Sequence, residues 1–418
     1  MNKYTLLIDG NFWLMKSFHI CQKIKTGKAL NFIDEPEIDK QVILWKMSLD
    51  FSAEIKRFSS IIDRVVYTVD NNSWRKRYEA DVEYKGNRVQ STDVDWKMLF
   101  DVHDDFVKGL QSSGVIVTRL NGAEGDDSIF AWSSYLNSID KNSIIVSGDN
   151  DLLQLVYKNG ETNTIYYNKF DKKLHTPIGF EKLLNNVSSD EVVDIFNMSP
   201  KDMIDIRNDI KTIITKDKIK IDEINPNEFV FAKILKGDDG DNVTPLYVKM
   251  KDTKGGLKRF KVTDKHCDEI LKLYKKEYMS VKEMHFFEDE HIEMICTFAK
   301  IIIKIDDKDI SELITKWKMN RDLMFLHKKC LPAVVYDSLM EHIENSQHFL
   351  GGIALHNLMQ KDNILKETCY EFDSYNPLVD GIAVKSFKKN TDTRTVEVTA
   401  EENSNEGFND SFWDNLLK

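Results

Sequence analysis

Three aspartates stand where short apolar runs stop, and this placement constrains the fold more than any other feature of the chain. Tyr4–Ile8 runs into Asp9-Gly10-Asn11, Arg64–Val69 into Asp70, and Ser143–Val146 into Ser147-Gly148-Asp149. Val115–Thr118 reads as a further strand, and Val42–Ile62 and Gly125–Leu136 read as helices. Strands separated by helices predict an α/β fold with a central, mainly parallel sheet flanked by helices on both faces. In such sheets ligands bind beyond the carboxyl ends of the strands. All three aspartates fall there. After about residue 177 the strand signal fades, and the pattern is mostly helical to roughly residue 345.

Bulk properties narrow the class. The 418 residues suffice for two or three domains. With 41% hydrophobic and 30% charged residues, the chain has the profile of a soluble globular protein. No apolar run approaches membrane-spanning length, and the apolar stretch of MNKYTLLIDGNFW is interrupted too soon for a signal peptide. The five cysteines (Cys21, Cys267, Cys296, Cys330 and Cys369) form no CxxC pair. That argues against a zinc or disulfide framework and for a reducing cytoplasm. A net charge of −11 is unusual for a duplex binder. Carboxylates concentrated for a metal can produce it while a local basic patch still meets phosphate.

The carboxylates are indeed concentrated. Besides Asp9, Asp70 and Asp149-Asn150-Asp151, the chain holds Glu124-Gly125-Asp126-Asp127 and Gly237-Asp238-Asp239-Gly240-Asp241-Asn242. Taken singly, each has an ordinary explanation: a turn residue, a helix cap, or an acidic first helical turn. Their joint occurrence, three at strand ends, is harder to explain that way. Hard oxygen ligands suit Mg2+ or Mn2+, and clustered carboxylates repel one another unless cations sit between them. Phosphodiester hydrolysis by two divalent ions is the chemistry that uses such a cluster.

Read in order, "LLIDGN", "YTVDNN", "EYKGNR", "GAEGDDSIF", "SGDNDLLQLV" and "KGDDGDN" resemble the 5′ nuclease (flap endonuclease-like) superfamily, whose catalytic domain is PIN-like. The likeness covers roughly residues 1–245 and is nearest to the bacteriophage replication 5′ nucleases, including phage RNase H. It implies that Asp9, Asp70, Glu124, Asp126 and Asp127 line a first metal site. Asp149, Asp151, Asp238 and Asp241 would build a second, and Asp239 occupies a variable position. Lys85 and Arg88 match the lysine and arginine of a helical arch above the metals, where they would meet phosphate. Tyr84 would stack on a base, with Arg75, Lys76 and Arg77 as supporting nucleic-acid contacts. The glycine-rich hairpin that follows the last motif in many relatives is replaced by Val243-Thr244-Pro245-Leu246-Tyr247-Val248-Lys249. The potassium ion it holds there is therefore not carried over. Duplex binding shifts to Lys249, Lys251, Lys254, Lys258, Arg259 and Lys261, with Lys251–Lys261 read as an exposed loop.

The expected organisation is a PIN-like core over 1–177 with an arch insertion at about 71–110, then a helical duplex-binding subdomain over 178–350. An extension over 351–390 and a polar, acidic tail over 391–418 follow. The tail ends in Phe408, Phe412, Trp413, Leu416 and Leu417, which read as an anchor for a sliding clamp or a single-strand-binding protein. The resemblance implies a cytoplasmic monomer (host cytoplasm, for a phage protein). It would use two Mg2+, or Mn2+, on DNA or RNA–DNA duplexes with 5′ ends or flaps. A PIN-type ribonuclease acting on structured RNA, and a non-catalytic DNA-binding replication protein, are the alternatives. A haloacid-dehalogenase-type phosphatase needs a second Asp two residues after the first, where this chain has Asn11.

Overall fold

The computed structural model describes residues 3–26, 36–77, 84–86, 94–159, 162–181, 184, 200–253, 256–278, 285–305, 309–346 and 357. Arg88, Lys254, the 351–390 extension save Asn357, and the terminal aromatic–aliphatic peptide lie outside them.

Each apolar run becomes a strand of one eight-stranded sheet. β1 (Tyr4–Asp9) lies between β2 (Ile62–Thr68) and β4 (Asn142–Ser147), and β3 (Ile116–Thr118) flanks β2. All of these pairings are parallel. β5 (Tyr157–Asn159) and β7 (Lys173–Pro177) both run antiparallel to β6 (Thr162–Asn168), which is itself parallel to β4. The edge strand β8 (Lys220–Ile224) pairs parallel with β7. The sheet therefore draws on sequence beyond residue 177, where the pattern reads as mostly helical. β8 reads KIDEI and is partly exposed along its length, so it lacks the continuous apolar signal that marks a central strand.

The pleat sorts the side chains into two cores. Leu6, Ile8, Val65, Tyr67, Ile144 and Val146 face one side and pack with α1 (Gly10–Thr26), α2 (Pro36–Phe58) and α3 (Trp96–Ser112). The intervening Leu7, Val66, Ile145 and Tyr166 face the other side and pack with α4 (Gly125–Ser138) and α10 (Ala333–Asn345). Successive residues of a strand point to opposite faces. Burial on both faces is why these strands read as unbroken apolar runs rather than alternating ones. A separate core joins α6 (Pro226–Lys236), α7 (Asp264–Glu277), α8 (Asp289–Ile303) and α9 (Ile310–Met324). α5 (Pro200–Asp217) precedes β8 and contributes Ile210 and Ile213 to the first core. The lysine-rich stretch read as a loop is an antiparallel hairpin, β9 (Val248–Thr253) with β10 (Gly256–Lys261). Among the described residues no helix is long and apolar enough to cross a membrane, and the four described cysteines are buried and form no disulfide.

The chain order places the three aspartates together. β1 connects outward to β2 on one side, and the chain later returns to lay β4 on the other. Asp9 stands in register with Thr68, and Ile8 with Val146. Gly10 makes this junction possible. A Cβ there would lie 2.3 Å from the carbonyl oxygen of Thr68 and 2.6 Å from the Tyr67 ring. Because the nearer obstacle is backbone, it cannot rotate away. Gly10→Ala should lower stability by ~1–3 kcal/mol, read as a reduced denaturant midpoint at unchanged slope. An unchanged midpoint would show that α1 leaves β1 with more room than the structure gives it.

Candidate metal centre

Asp9 closes β1 inside the protein. Its Oδ2 accepts the Ser147 hydroxyl at 2.6 Å, and its Oδ1 accepts the Phe12 backbone N–H at 3.1 Å. Asp70, just past β2, accepts the backbone N–H of Gly125 at the start of α4. The same helix start carries Asp126. Burial, then the charges of Asp149, Asp9, Asp70 and Glu124, push the Asp126 carboxyl well above the usual range. Burial likewise raises Asp9 to about 7, against its two hydrogen bonds and with Asp149 and Asp70 adding to the rise. These four aspartates form one group.

A second group forms where α6 ends. Oxygens of Asp151, Asp238 and Asp241 lie within 4.8 Å of one another, close enough to share an ion. Asp151 sits in the 3₁₀ segment Asn150–Leu155, and its N–H is capped by Asp149 at 2.8 Å. Burial raises Asp151 to about 7 despite Lys233, with Asp149 and Asp238 adding to the rise. Lys233, in the last turn of α6, bonds Asp151 and lies 3.0 Å from Asp238. Burial alone would lower its ammonium pKa, but these carboxylates raise it. Asp238 also accepts the N–H groups of Gly240 and Asp241. Although burial opposes it, Lys233 and these bonds hold Asp238 below the ordinary carboxylate value. Asp149 lies within electrostatic reach of both groups. Every donor is a carboxylate oxygen, a set that fits hard divalent cations.

The Tyr84-Lys85-Gly86 turn spans the two groups. Lys85 donates to Glu124 Oε1 at 2.9 Å, and its backbone N–H donates to the Asp241 carbonyl at 2.9 Å. Lys85 holds φ at 57°, a left-handed conformation that costs a lysine about 1 kcal/mol. Burial opposes ionisation of Glu124, yet Lys85 and Arg75 bring its carboxyl down to about 2.

Three expectations need correcting. Arg75 is no surface contact for phosphate. Its side chain is 3% exposed and pairs at 2.7 Å with Asp127, which is 0% exposed. It also donates to Glu124 and to the Leu323 carbonyl. Asp127 is no metal ligand. Its oxygens are taken by Arg75, by the Trp74 indole at 3.1 Å and by the Glu124 N–H at 3.1 Å. Tyr84 offers no ring to a base, because it is buried with Val243, Leu323 and Met324. Its hydroxyl donates to Asp241 at 2.9 Å and lies 3.3 Å from Glu124. Lys76 is exposed on the 3₁₀ turn Trp74–Arg77, which also carries Arg77. Lys249, Lys251, Lys258, Arg259 and Lys261 all lie on the β9–β10 hairpin; Arg259 and Lys261 are exposed, and Lys261 pairs with Asp239. Sequence reading missed Lys233 and Ser147. A lysine in the last turn of a helix is the ordinary response to the helix dipole, so nothing in the pattern marked it.

Residues 4–186 match the family model for the 5′-3′ exonuclease, N-terminal resolvase-like domain. The match covers somewhat less than half of the chain and likens this unit to that exonuclease domain. No curated protein matches the chain significantly. Among solved structures it is similar to the bacteriophage T5 D15 protein crystallised with metal ions, at TM-score 0.42 and 13% identity, covering 88% of this chain and 100% of that one. It is also similar to the T5 D15 flap endonuclease in a pseudo-enzyme–product complex with DNA and metal ions, at TM-score 0.41 and 13% identity over 88% and 99% of the two chains. For the T5 5′-exonuclease with bound zinc the values are 0.40 and 13%, over 87% and 99%.

Two predictions follow from this geometry. Removing one partner of a buried ion pair strands the other, so Arg75→Ala should cost about 3–5 kcal/mol in chemical denaturation. A surface phosphate contact at that position would leave stability within about 0.5 kcal/mol. The second concerns pH. Asp9 and Asp151 have carboxyls raised from 3.8 to about 7. Their contribution to stability is full below the unfolded value and is lost as pH rises through about 7. Cations that replace the protons should offset that loss. The rise in melting temperature on adding Mg2+ should therefore be larger at pH 8 than at pH 6. An equal or smaller rise at pH 8 would contradict the assignment. Glu124, with its carboxyl at about 2, titrates outside this window.

Proposed function

We propose that the chain is a divalent-metal-dependent 5′ nuclease, acting on DNA or RNA–DNA replication intermediates with 5′ ends or flaps. The observation that carries this reading is the convergence of Asp9, Asp70, Asp126 and Asp149 with Asp151, Asp238 and Asp241 in two adjoining groups, beneath a turn that presents Lys85. The family match over residues 4–186 supports it. Mg2+ is the expected ion and Mn2+ its substitute, because the donors are all carboxylates.

When bound, two such ions activate a water and stabilise the departing oxygen of a phosphodiester. The chain's own residues prepare the place where this happens. Once ions replace their protons, Asp9, Asp70 and Asp126 supply negative charge on one side, and Asp151, Asp238 and Asp241 on the other. Ser147 and the Phe12 N–H orient Asp9, and Tyr84 holds Asp241 beside Glu124. Lys233 offsets the charge of Asp151 and Asp238. Lys85 exchanges its Glu124 partner for the scissile phosphate, whose growing charge its ammonium stabilises. Arg88 follows three residues later and is assigned to an adjacent phosphate. Residues 1–177 with β8 form the catalytic unit, and the helical region to about 350 grips duplex through the basic β9–β10 hairpin. The terminal peptide from Phe408 to Leu417 is assigned to a sliding clamp or a single-strand-binding protein, and a cytoplasmic monomer suits such work.

The test uses a 5′-labelled flap duplex with a defined junction. Protein with Mg2+ should release short 5′ products, and chelator should abolish the release. Asp151→Ala should remove cleavage while leaving duplex binding, and Lys85→Ala should slow the single-turnover rate at least a hundredfold. Cleavage retained by Asp151→Ala would sink the metal assignment. An unchanged rate for Lys85→Ala would remove that residue from the chemistry. Cutting confined to structured RNA would favour a PIN-type ribonuclease.

A further inference from the structure

Away from the carboxylates, the start of α8 assembles a different donor set. His285 Nδ1 lies 2.9 Å from Glu288 Oε1, and His291 Nε2 lies 3.5 Å from Glu288 Oε2. One donor atom from each of the three residues falls within 4.8 Å of the others. We propose that His285, Glu288 and His291 form a second metal site, selective for a borderline transition ion such as Zn2+ over Mg2+.

The geometry fits such an ion. Donors about 2.0–2.2 Å from a tetrahedral ion lie roughly 3.3–3.5 Å from one another. The two measured separations, each to a different Glu288 oxygen, lie at or below that edge length. Closing the widest pair needs at most about 1.5 Å of movement, and His285, whose side chain is 35% exposed, is free to supply it.

Three further observations separate this trio from a chance meeting of polar groups. Glu288 is the N-cap residue of α8, where a carboxylate usually accepts the helix's free N–H groups. Its side chain makes no such bond, and each of its oxygens faces an imidazole instead. Second, the His291 ring is fixed from behind. Its Nδ1 lies 2.7 Å from the hydroxyl of Tyr274, a buried residue of α7. With Tyr274 accepting the Nδ1 proton, the Nε2 lone pair points at the site, as in the outer-shell bonds that orient metal-binding histidines. Third, the spacer is anchored. Phe286 is buried and packs against Phe325 with ring centroids 5.0 Å apart, and Phe287 stacks on the same ring at 5.9 Å. His285 and Glu288 are therefore presented by a fixed dipeptide.

Two imidazoles and one carboxylate favour zinc, copper or nickel, whereas the all-oxygen cluster favours magnesium. The 59% exposure of Glu288 leaves a path for the ion and a fourth position for water. Through the Tyr274–His291 bond, an ion here would tie the segment leading into α8 to α7.

The test uses the full chain in excess Mg2+, which occupies the carboxylate cluster, dialysed against dilute Zn2+. Wild type should retain one zinc per chain more than His285→Ala or Glu288→Gln. Tyr274→Phe should weaken zinc binding about tenfold. Substituted Co2+ should give a visible absorption band that Glu288→Gln loses. Both ligand substitutions fall on partly or largely exposed side chains, and metal-free melts should match wild type. Equal zinc retention by wild type, His285→Ala and Glu288→Gln would overturn the proposal, as would no retention by wild type. In the latter case the trio is a histidine–carboxylate ion pair only.

Discussion

Mutual repulsion among carboxylates is the constraint around which the rest of the structure is arranged. Seven aspartates and a glutamate meet beyond the carboxyl ends of the central strands, and donors from several elements hold most of them. Ser147 holds Asp9, the α4 N-terminus holds Asp70, Lys85 and Arg75 hold Glu124, and Lys233 holds Asp151 and Asp238. Burial first, and then like charges at short range, disfavour ionisation, which is why Asp9, Asp126 and Asp151 are shifted upward. Glu124 is shifted the other way because two cations reach it. The cluster thus contains carboxyls shifted in both directions, a mixture that suits the binding of ions which displace protons.

The central sheet was legible because its strands are buried on both faces, so Tyr4–Ile8, Arg64–Val69 and Ser143–Val146 read as plain apolar runs. The edge was not. β8 is polar and pairs with β7, distant in sequence, and the lysine-rich β9 and β10 pair only with each other, apart from the central sheet. The candidate site divides in the same way. Asp9, Asp70 and Asp149 follow from strand ends, whereas Asp238 and Asp241 arrive by the packing of α6 against the 3₁₀ segment that bears Asp151. Arg75, Asp127 and Tyr84 were misjudged because residue type alone suggests solvent or ligand. Only the tertiary structure reveals that they satisfy one another and Asp241.

The helical unit is not loosely attached to this cluster. Gln154, three residues after Asp151, donates to the carbonyls of Asp151 and Met324 and accepts the N–H of Leu326. Arg75 reaches the carbonyl of Leu323 in the same turn. The end of α9 would otherwise leave its carbonyls without intrahelical partners. Here they are bonded by the side chains that also position the acidic groups.

One bond gives the arrangement a logic of its own. The backbone N–H of Lys85 is donated to the carbonyl of Asp241, so the turn that presents the ammonium and the loop that carries the last carboxylate are fastened main chain to main chain. Displacing either one breaks this bond. On the proposed reading, the cation assigned to the strand and the carboxylate assigned to the ion are thereby positioned as one unit, so a change that shifts either loop reaches the other.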